Sequence, residues 1–277
     1  MNFINLNGKI LPSGEGAIPV DNGAFRYGYG LFETMLVQHG DIRLKDYHWE
    51  RLFSGIRQLQ FQLPVFFTPQ WLEQQTLKLV KKNGADTLCR VRLQVFAAGG
   101  GLYSSESKQP LFVIECFPIE PTSITLNVNG LVIGIAAGLK KSTDSLGNLK
   151  SCNALIYAMA ARQAKDHKWN DALIANTTGN ICESTLANIF WVKDNQLFTP
   201  PLSEGCVAGV MRRHIIERFH PVTEKQLPLE ELLAADEVFL TNAIKGIKWV
   251  TALGDRSYTS KWINTHYNNC MPTTTNP

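Results

Sequence analysis

Residues 148–164 read NLKSCNALIYAMAARQA, residues 171–192 read DALIANTTGNICESTLANIFWV, and residues 199–216 read TPPLSEGCVAGVMRRHII. The first places one lysine, Lys150, after a Gly-Asn turn and before an apolar stretch of helical spacing that predicts a helix from Cys152 to Lys165. The second is a pair of apolar, strand-like runs around a single acid, Glu183. The third is a loop with Gly205 and Gly209 that leads into a further helix, Val210 to Phe219. An amine, an isolated carboxylate and a glycine-bearing helix start therefore follow one another within about a quarter of the chain.

Working outward, FINLNGKILP (3–12) alternates around Asn7-Gly8, a hairpin signal, and GLFETMLVQHGDIRL (30–44) repeats it around His39-Gly40-Asp41. From Asp46 the period becomes helical: DYHWERLFSGIRQLQF (46–61) puts Tyr47, Leu52, Ile56 and Leu59 on one face, with Asp46 as N-cap. TPQWLEQQTLKLVKKNG (68–84) predicts a second helix, capped by Thr68, opened by Pro69 and ended by Gly84. LCRVRLQVFA (88–97) and PLFVIECFPI (110–119) read as strands joined by AGGGLYSSESKQ (98–109). EPTSITLN (120–127) reads as a domain connection, giving an N-terminal α+β domain over 1–120 and a larger domain over 121–277. In the latter, a strand over 130–137 precedes the polar loop GLKKSTDSLGN (138–148), which delivers Lys150. Strands near Ala172–Ile174, Asn188–Val192 and Gln196–Phe198, a short helix, strand and turn over 228–254, a last helix in SYTSKWINTHYNN and a frayed tail complete it. The fold class is α+β (α/β mixed).

The 277 residues carry 44% hydrophobic and 18% charged residues and a net charge of +3, a globular balance with too little dispersed positive charge for nucleic acid. Six cysteines without a CxxC pair read as reduced thiols, and no metal-ligand spacing is present. There is no signal pattern and no run near the ~18 apolar residues of a membrane span, so the expectation is a soluble cytoplasmic protein.

Each candidate has a plainer reading. A lone lysine is usually a solvated charge, but a stem entering an apolar pocket makes Lys150 an amine of lowered pKa suited to an aldehyde. Glu183 is either an exposed turn carboxylate or the partner of a pyridinium nitrogen. The backbone N–H groups of Val210 and Met211 either start an ordinary helix or cradle a phosphate, to which LTNAIKG adds Thr241, Asn242 and Ala243. Arg51 either pairs with a neighbour such as Glu50 or clamps the same phosphate. Arg90, Arg92 and Lys245 are candidates for substrate carboxylates, though strand arginines as often face solvent.

These segments, in this order, resemble the class IV aminotransferase family, the fold type IV pyridoxal-phosphate enzymes, whose members include branched-chain and D-amino acid aminotransferases and 4-amino-4-deoxychorismate lyase. The likeness runs through FRYGYGLFET (25–34), HWERL (48–52), Lys150 and Asn153, GNICESTLANIF (179–190), Thr199-Pro200, GCVAGVMR (205–212) and ADEVFLTNAIKGI (235–247). It implies a two-domain fold with pyridoxal 5'-phosphate between the domains and a homodimer. It further implies a Schiff base on Lys150, Glu183 on the ring nitrogen, Arg51 on the phosphate, and phosphate donors at Val210, Met211, Asn242 and Ala243. Aminotransferases of the family commonly carry tyrosine five residues after the lysine, where Leu155 stands, and a loop like LPGITR in place of VAGVMR. These departures and TNAIKGI are more similar to the lyase, with Thr34 helping proton delivery as 4-aminobenzoate and pyruvate form. Against it, AAGGGLY (97–103) lacks the arginine of the lyases' RGY segment and Tyr29 replaces an acid, leaving Tyr29 and Tyr103 as substrate-end candidates. An amino acid aminotransferase, returning its cofactor with a keto acid, is the alternative, and a non-catalytic cofactor-binding relative the third reading.

Overall fold

The computed structural model describes residues 2–99, 103, 109–219 and 221–272. The chain divides into two compact units: Met1–Ser123 with Lys150–Asn153, and Ile124–Leu149 with Ala154–Pro277. Most of the loop expected over 98–109 and the tail beyond 272 lie outside the described residues.

The first unit holds β1 (Phe3–Leu6), β2 (Lys9–Pro12), α1 (Gly23–Tyr27), β3 (Gly30–Gln38), β4 (Asp41–Ile42), α2 (Lys45–Gln58), α3 (Pro69–Lys82), β5 (Leu88–Ala97) and β6 (Pro110–Pro118). Its six strands run in the order β2-β1-β6-β5-β3-β4. Strands β3 and β5 pair antiparallel along their length, Gly30 opposite Phe96 and Thr34 opposite Arg92. Alternation sends Leu31, Glu33 and Met35 to one face and Phe32 and Thr34 to the other. Helix α3 forms as its sequence implies, with Thr68 Oγ1 accepting from Trp71 N (3.2 Å) and Gly84 at φ +63° beyond its end. Two expectations for α2 need correction. Its N-cap is Leu44 at φ +58°, with Asp46 inside the first turn, and its buried face carries His48, Trp49, Leu52 and Ile56 instead of Tyr47. The face turns this way because His48 reaches the buried Glu33 on β3.

The second unit holds β7 (Leu131–Lys141), α4 (Leu155–Asp166), β8 (Asp171–Asn176), β9 (Ile181–Ser184), β10 (Asn188–Lys193), β11 (Gln196–Thr199), α5 (Val210–Arg218), β12 (Val222–Glu224), α6 (Leu229–Ala234), β13 (Glu237–Asn242), β14 (Gly246–Leu253), β15 (Arg256–Ser257) and α7 (Lys261–Cys270). Strands β10, β13, β14, β7, β8 and β9 pair in succession, and the bridge Asn188–Glu183 joins β9 back to β10. The sheet thereby closes on itself and hides two edges. Inside it pack Ile133, Leu173, Ile189, Trp191, Leu240 and Val250, and the small residues Ala160 and Ala164 seat α4 against Ala136, Ala172 and Ile174.

The segment around Lys150 also departs from expectation: α4 begins at Leu155, not Cys152. Residues 150–152 run extended beside β3, with Phe32 N donating to Lys150 O (2.9 Å) and Cys152 N to Gly30 O (2.8 Å). Glycine makes this approach possible. A Cβ on Gly30 would lie 2.8 Å from Phe96 Cβ and 3.1 Å from Cys152 Sγ, and one on Gly28, at φ +65°, 2.9 Å from Asn153 Cα. Gly28→Ala therefore combines left-handed strain with a steric clash and should cost about 3 kcal/mol. Gly40→Ala, at φ +77° with nothing within 4 Å of its Cβ, should cost only the strain, about 1 kcal/mol. Paired thermal melts of the two variants check this ordering.

Candidate active site

Lys150 leaves its extended segment with Nζ 4.3 Å from the centroid of the Phe32 ring. The guanidinium carbon of Arg92 lies 3.8 Å from the same centroid. Both cations thus meet the aromatic face of one β3 residue, a placement that favours positive charge. Thr34 is two residues along the same face, directly opposite Arg92. Arg92 Nη2 donates to Gln94 Oε1 (2.9 Å), and burial lowers its pKa. A cavity of about 440 Å³ in this unit is lined by Ile18, Phe25, Arg92, Gln94, Phe96 and Cys152. It is a largely apolar slot with one cationic group, Arg92, and two amides, Asn22 and Gln94, a composition that suits an organic carboxylate.

On the opposite face lies an ion cluster that sequence reading missed. Glu33, 1% exposed, accepts from Arg51 Nε at 2.8 Å and Arg51 Nη2 at 2.5 Å, a two-pronged clamp. His48 Nδ1 donates to Glu33 Oε2 at 2.6 Å. Burial pushes the Glu33 carboxyl up, but Arg51 and His48 outweigh it and bring its pKa down to about 2. Burial holds the His48 pKa below its ordinary value despite Glu33. Arg51 is therefore oriented by Glu33. Lys150 is close enough to disfavour a charge on His48.

The remaining first-unit candidates are engaged elsewhere. Tyr29 Oη donates to Leu59 O (2.8 Å), and its ring stacks on Phe61. Arg90 is exposed over the Phe117 ring. Tyr103 is 85% exposed, its ring 5.1 Å from that of Tyr27.

In the second unit Glu183 sits on β9, the strand that closes the ring, and is 3% exposed. Its Oε1 accepts from Tyr157 Oη (2.7 Å) and from Lys141 Nζ, and its Oε2 from Val207 N (2.9 Å). The loop bearing Val207 is fixed by Glu204, which accepts from Asn176, Asn180 and Gln226. Three residues beyond Val207, α5 starts at Val210 with no side-chain cap on Gly209. A Cβ on Gly209 would lie 1.8 Å from Asn188 Oδ1, so only glycine lets the helix begin there. Val210 and Met211 accordingly stand in the first turn, where backbone N–H groups favour an anion.

Helix α5 packs against β13, whose Thr241 has a buried Oγ1 with no hydrogen-bond partner. In the following turn Asn242 Oδ1 accepts from Ile244 N and Lys245 N, which leaves Lys245 exposed and Ala243 half-buried. The residues expected to hold a phosphate thus fit one: an uncapped helix start and a buried, unpartnered hydroxyl lie on two elements in contact. A buried carboxylate fits a ring cation equally well.

Glu33, His48, Lys141 and Tyr157 escaped the sequence reading. HWERL and FET contain the first two in plain view, but only the strand alternation, which turns Glu33 inward, could have marked them.

A profile of the family described as amino-transferase class IV matches residues 30–253. The chain is 28% identical to an aminodeoxychorismate lyase of Vibrio harveyi, with 85% of this chain and 87% of that one covered. It is 29% identical to an aminodeoxychorismate lyase of Bacillus subtilis, over 94% and 89% of the two chains. The solved structure of a branched-chain aminotransferase from Thermoproteus uzoniensis with norvaline superposes with a TM-score of 0.85 at 24% identity, covering 96% of this chain and 94% of that one.

Because Glu33 is ionised and paired in the folded state, its stabilising effect is complete above its ordinary pKa of 4.5 and is lost as pH falls towards 2. Glu33→Gln should remove about 3 kcal/mol of stability at neutral pH and flatten the acid limb of the stability curve between those values. Denaturant melts from pH 7 downward measure both.

Proposed function

This chain belongs to the amino-transferase class IV family, and from that premise we propose that it is a pyridoxal-phosphate enzyme whose reaction is the conversion of 4-amino-4-deoxychorismate to 4-aminobenzoate and pyruvate. When bound, the cofactor supplies an aldehyde for amines and a ring that accepts electrons. The observation that carries the reading is the set Lys150, Glu183 and the uncapped start of α5, each placed by its own backbone constraint. Lys150 is the amine that would hold the aldehyde. Glu183 would hold the ring nitrogen, and Arg51, Val210, Met211 and Thr241 are the candidates for the phosphate.

Two features favour the lyase. The relatives named above as aminodeoxychorismate lyases match over most of their length. Leu155 stands where the family's aminotransferases commonly have tyrosine, and it is 69% exposed. Lys150 would be the base that moves the proton, and Thr34, on the Phe32 face of β3, the hydroxyl that relays it. Loss of pyruvate makes the ring aromatic, so orientation and proton transfer are the protein's main contributions. Arg92 and Gln94, in the slot lined by Phe25 and Phe96, would receive a substrate carboxylate and so supply the charge that AAGGGLY lacks. We further propose a cytoplasmic homodimer; no helix among the described residues is long and apolar enough to cross a membrane.

Amino acid transamination is the second reading, favoured by the superposition on a branched-chain aminotransferase. Supplying aminodeoxychorismate to the cofactor-loaded protein separates the two. Release of 4-aminobenzoate and pyruvate in equal amounts supports the lyase. A lasting conversion to the pyridoxamine form with leucine or D-alanine, reversed only by a keto acid, contradicts it. Thr34→Ala should lower kcat about a hundredfold while KM changes little, as expected for a lost proton relay.

A further inference from the structure

The environment of Glu183 contains more positive charge than a ring nitrogen would need. Lys141 is the last residue of β7, beyond a break in register. Strand β7 pairs with β8 from Ile133 to Ile135, then resumes only at Lys140–Lys141. Gly138, at φ +70°, lies in the interval. The bulge draws Lys141 inward, and its side chain is 9% exposed. Its Nζ donates to Glu183 Oε1 and, at 2.5 Å, to Tyr157 Oη, which in turn donates to the same carboxylate oxygen at 2.7 Å. The ammonium also lies 5.2 Å from the Tyr157 ring centroid. An ammonium this buried is costly to desolvate and persists because the carboxylate and phenol both receive it.

We propose that Lys141, with Tyr157, is a positioning residue that shares Glu183 with the cofactor's ring nitrogen, drawing off part of the carboxylate's charge. This rests on the assignment of Glu183 to that nitrogen. The geometry has a direct electrostatic consequence. Glu183 and Lys141 already form a neutral pair, so a ring cation placed on Glu183 leaves the buried group with a net positive charge. The ring nitrogen is consequently held less firmly in its protonated form than by an unshared carboxylate, and the ring is a weaker electron sink. A reaction whose product is aromatic tolerates such a sink, because much of its driving force is in the substrate. Tyr157 fixes the geometry: it bridges ammonium and carboxylate, so that neither can turn away without losing a bond.

The test is a titration of the cofactor-free full-length protein with pyridoxal 5'-phosphate, and separately with its 1-deaza analogue, which has carbon in place of the ring nitrogen. Wild type, Lys141→Gln and Lys141→Met are compared by tryptophan fluorescence and visible absorbance. Glutamine keeps a hydrogen-bond donor for Glu183 and so retains the fold should methionine fail to. Loss of the ammonium should tighten pyridoxal 5'-phosphate about tenfold, the size expected when one buried charge pair ceases to be shared. The deaza analogue, which cannot carry the ring charge, should show no such gain, and Lys141→Arg should restore the wild-type affinity. Equal changes for both compounds, or no change for either, overturn the proposal while leaving the cofactor site standing. Failure of wild type to bind pyridoxal 5'-phosphate overturns the site assignment and the proposal together.

Discussion

Two backbone hydrogen bonds, Phe32 N to Lys150 O and Cys152 N to Gly30 O, fix where the chain's central amine can be. They hold four residues, Lys150–Asn153, to the first unit's sheet although the chain on both sides belongs to the second unit. Any side chain at Gly28 or Gly30 would push that segment away. The position of Lys150 over the Phe32 ring is thus a property of the β3 backbone. A surface lysine has many rotamers to lose on being ordered. Here the ordering falls to the main chain, with the Phe32 ring 4.3 Å from the ammonium.

A second constraint acts on charge. Two buried carboxylates are matched by a cation of their own unit: Glu33 by Arg51, with a further bond from His48, and Glu183 by Lys141, with a further bond from Tyr157. An unpaired buried carboxylate would be strongly destabilising. The pairing also has a functional meaning. Arg51 is presented with its fork already oriented, and Glu183 with both oxygens already bonded. Preorganisation of this kind lets a site hold a charged ligand without first rearranging.

Much of this was legible in the sequence. Lys150 and Glu183 stood out as single charges inside apolar runs, and Gly209 before Val210 marked a helix start. Thr68, Pro69 and Gly84 bounded α3 correctly because cap, first turn and terminator are local devices. What remained hidden depends on non-local pairing. Lys141 lies in GLKKSTDSLGN, which reads as a polar loop; only the bulge in β7, set by its register against β8, turns the residue inward. Glu33 reads as the polar member of an alternating strand, and its burial becomes visible only once α2 is laid on that face. Strand β14 was missed because GIKWVTAL mixes half-buried and buried positions. The start of α4 was placed three residues early, since nothing in KSCNA signals that the chain first pairs with β3.

The most direct measurement is to reduce the cofactor-loaded protein with borohydride and map the modified peptide by mass spectrometry. Lys150 and Lys141 both precede α4, and Lys141 is the one bonded to the Glu183 carboxylate. Modification of Lys150 alone is the outcome expected if Lys150 holds the aldehyde and Lys141 attends Glu183. Modification at Lys141, or at no lysine, would contradict it.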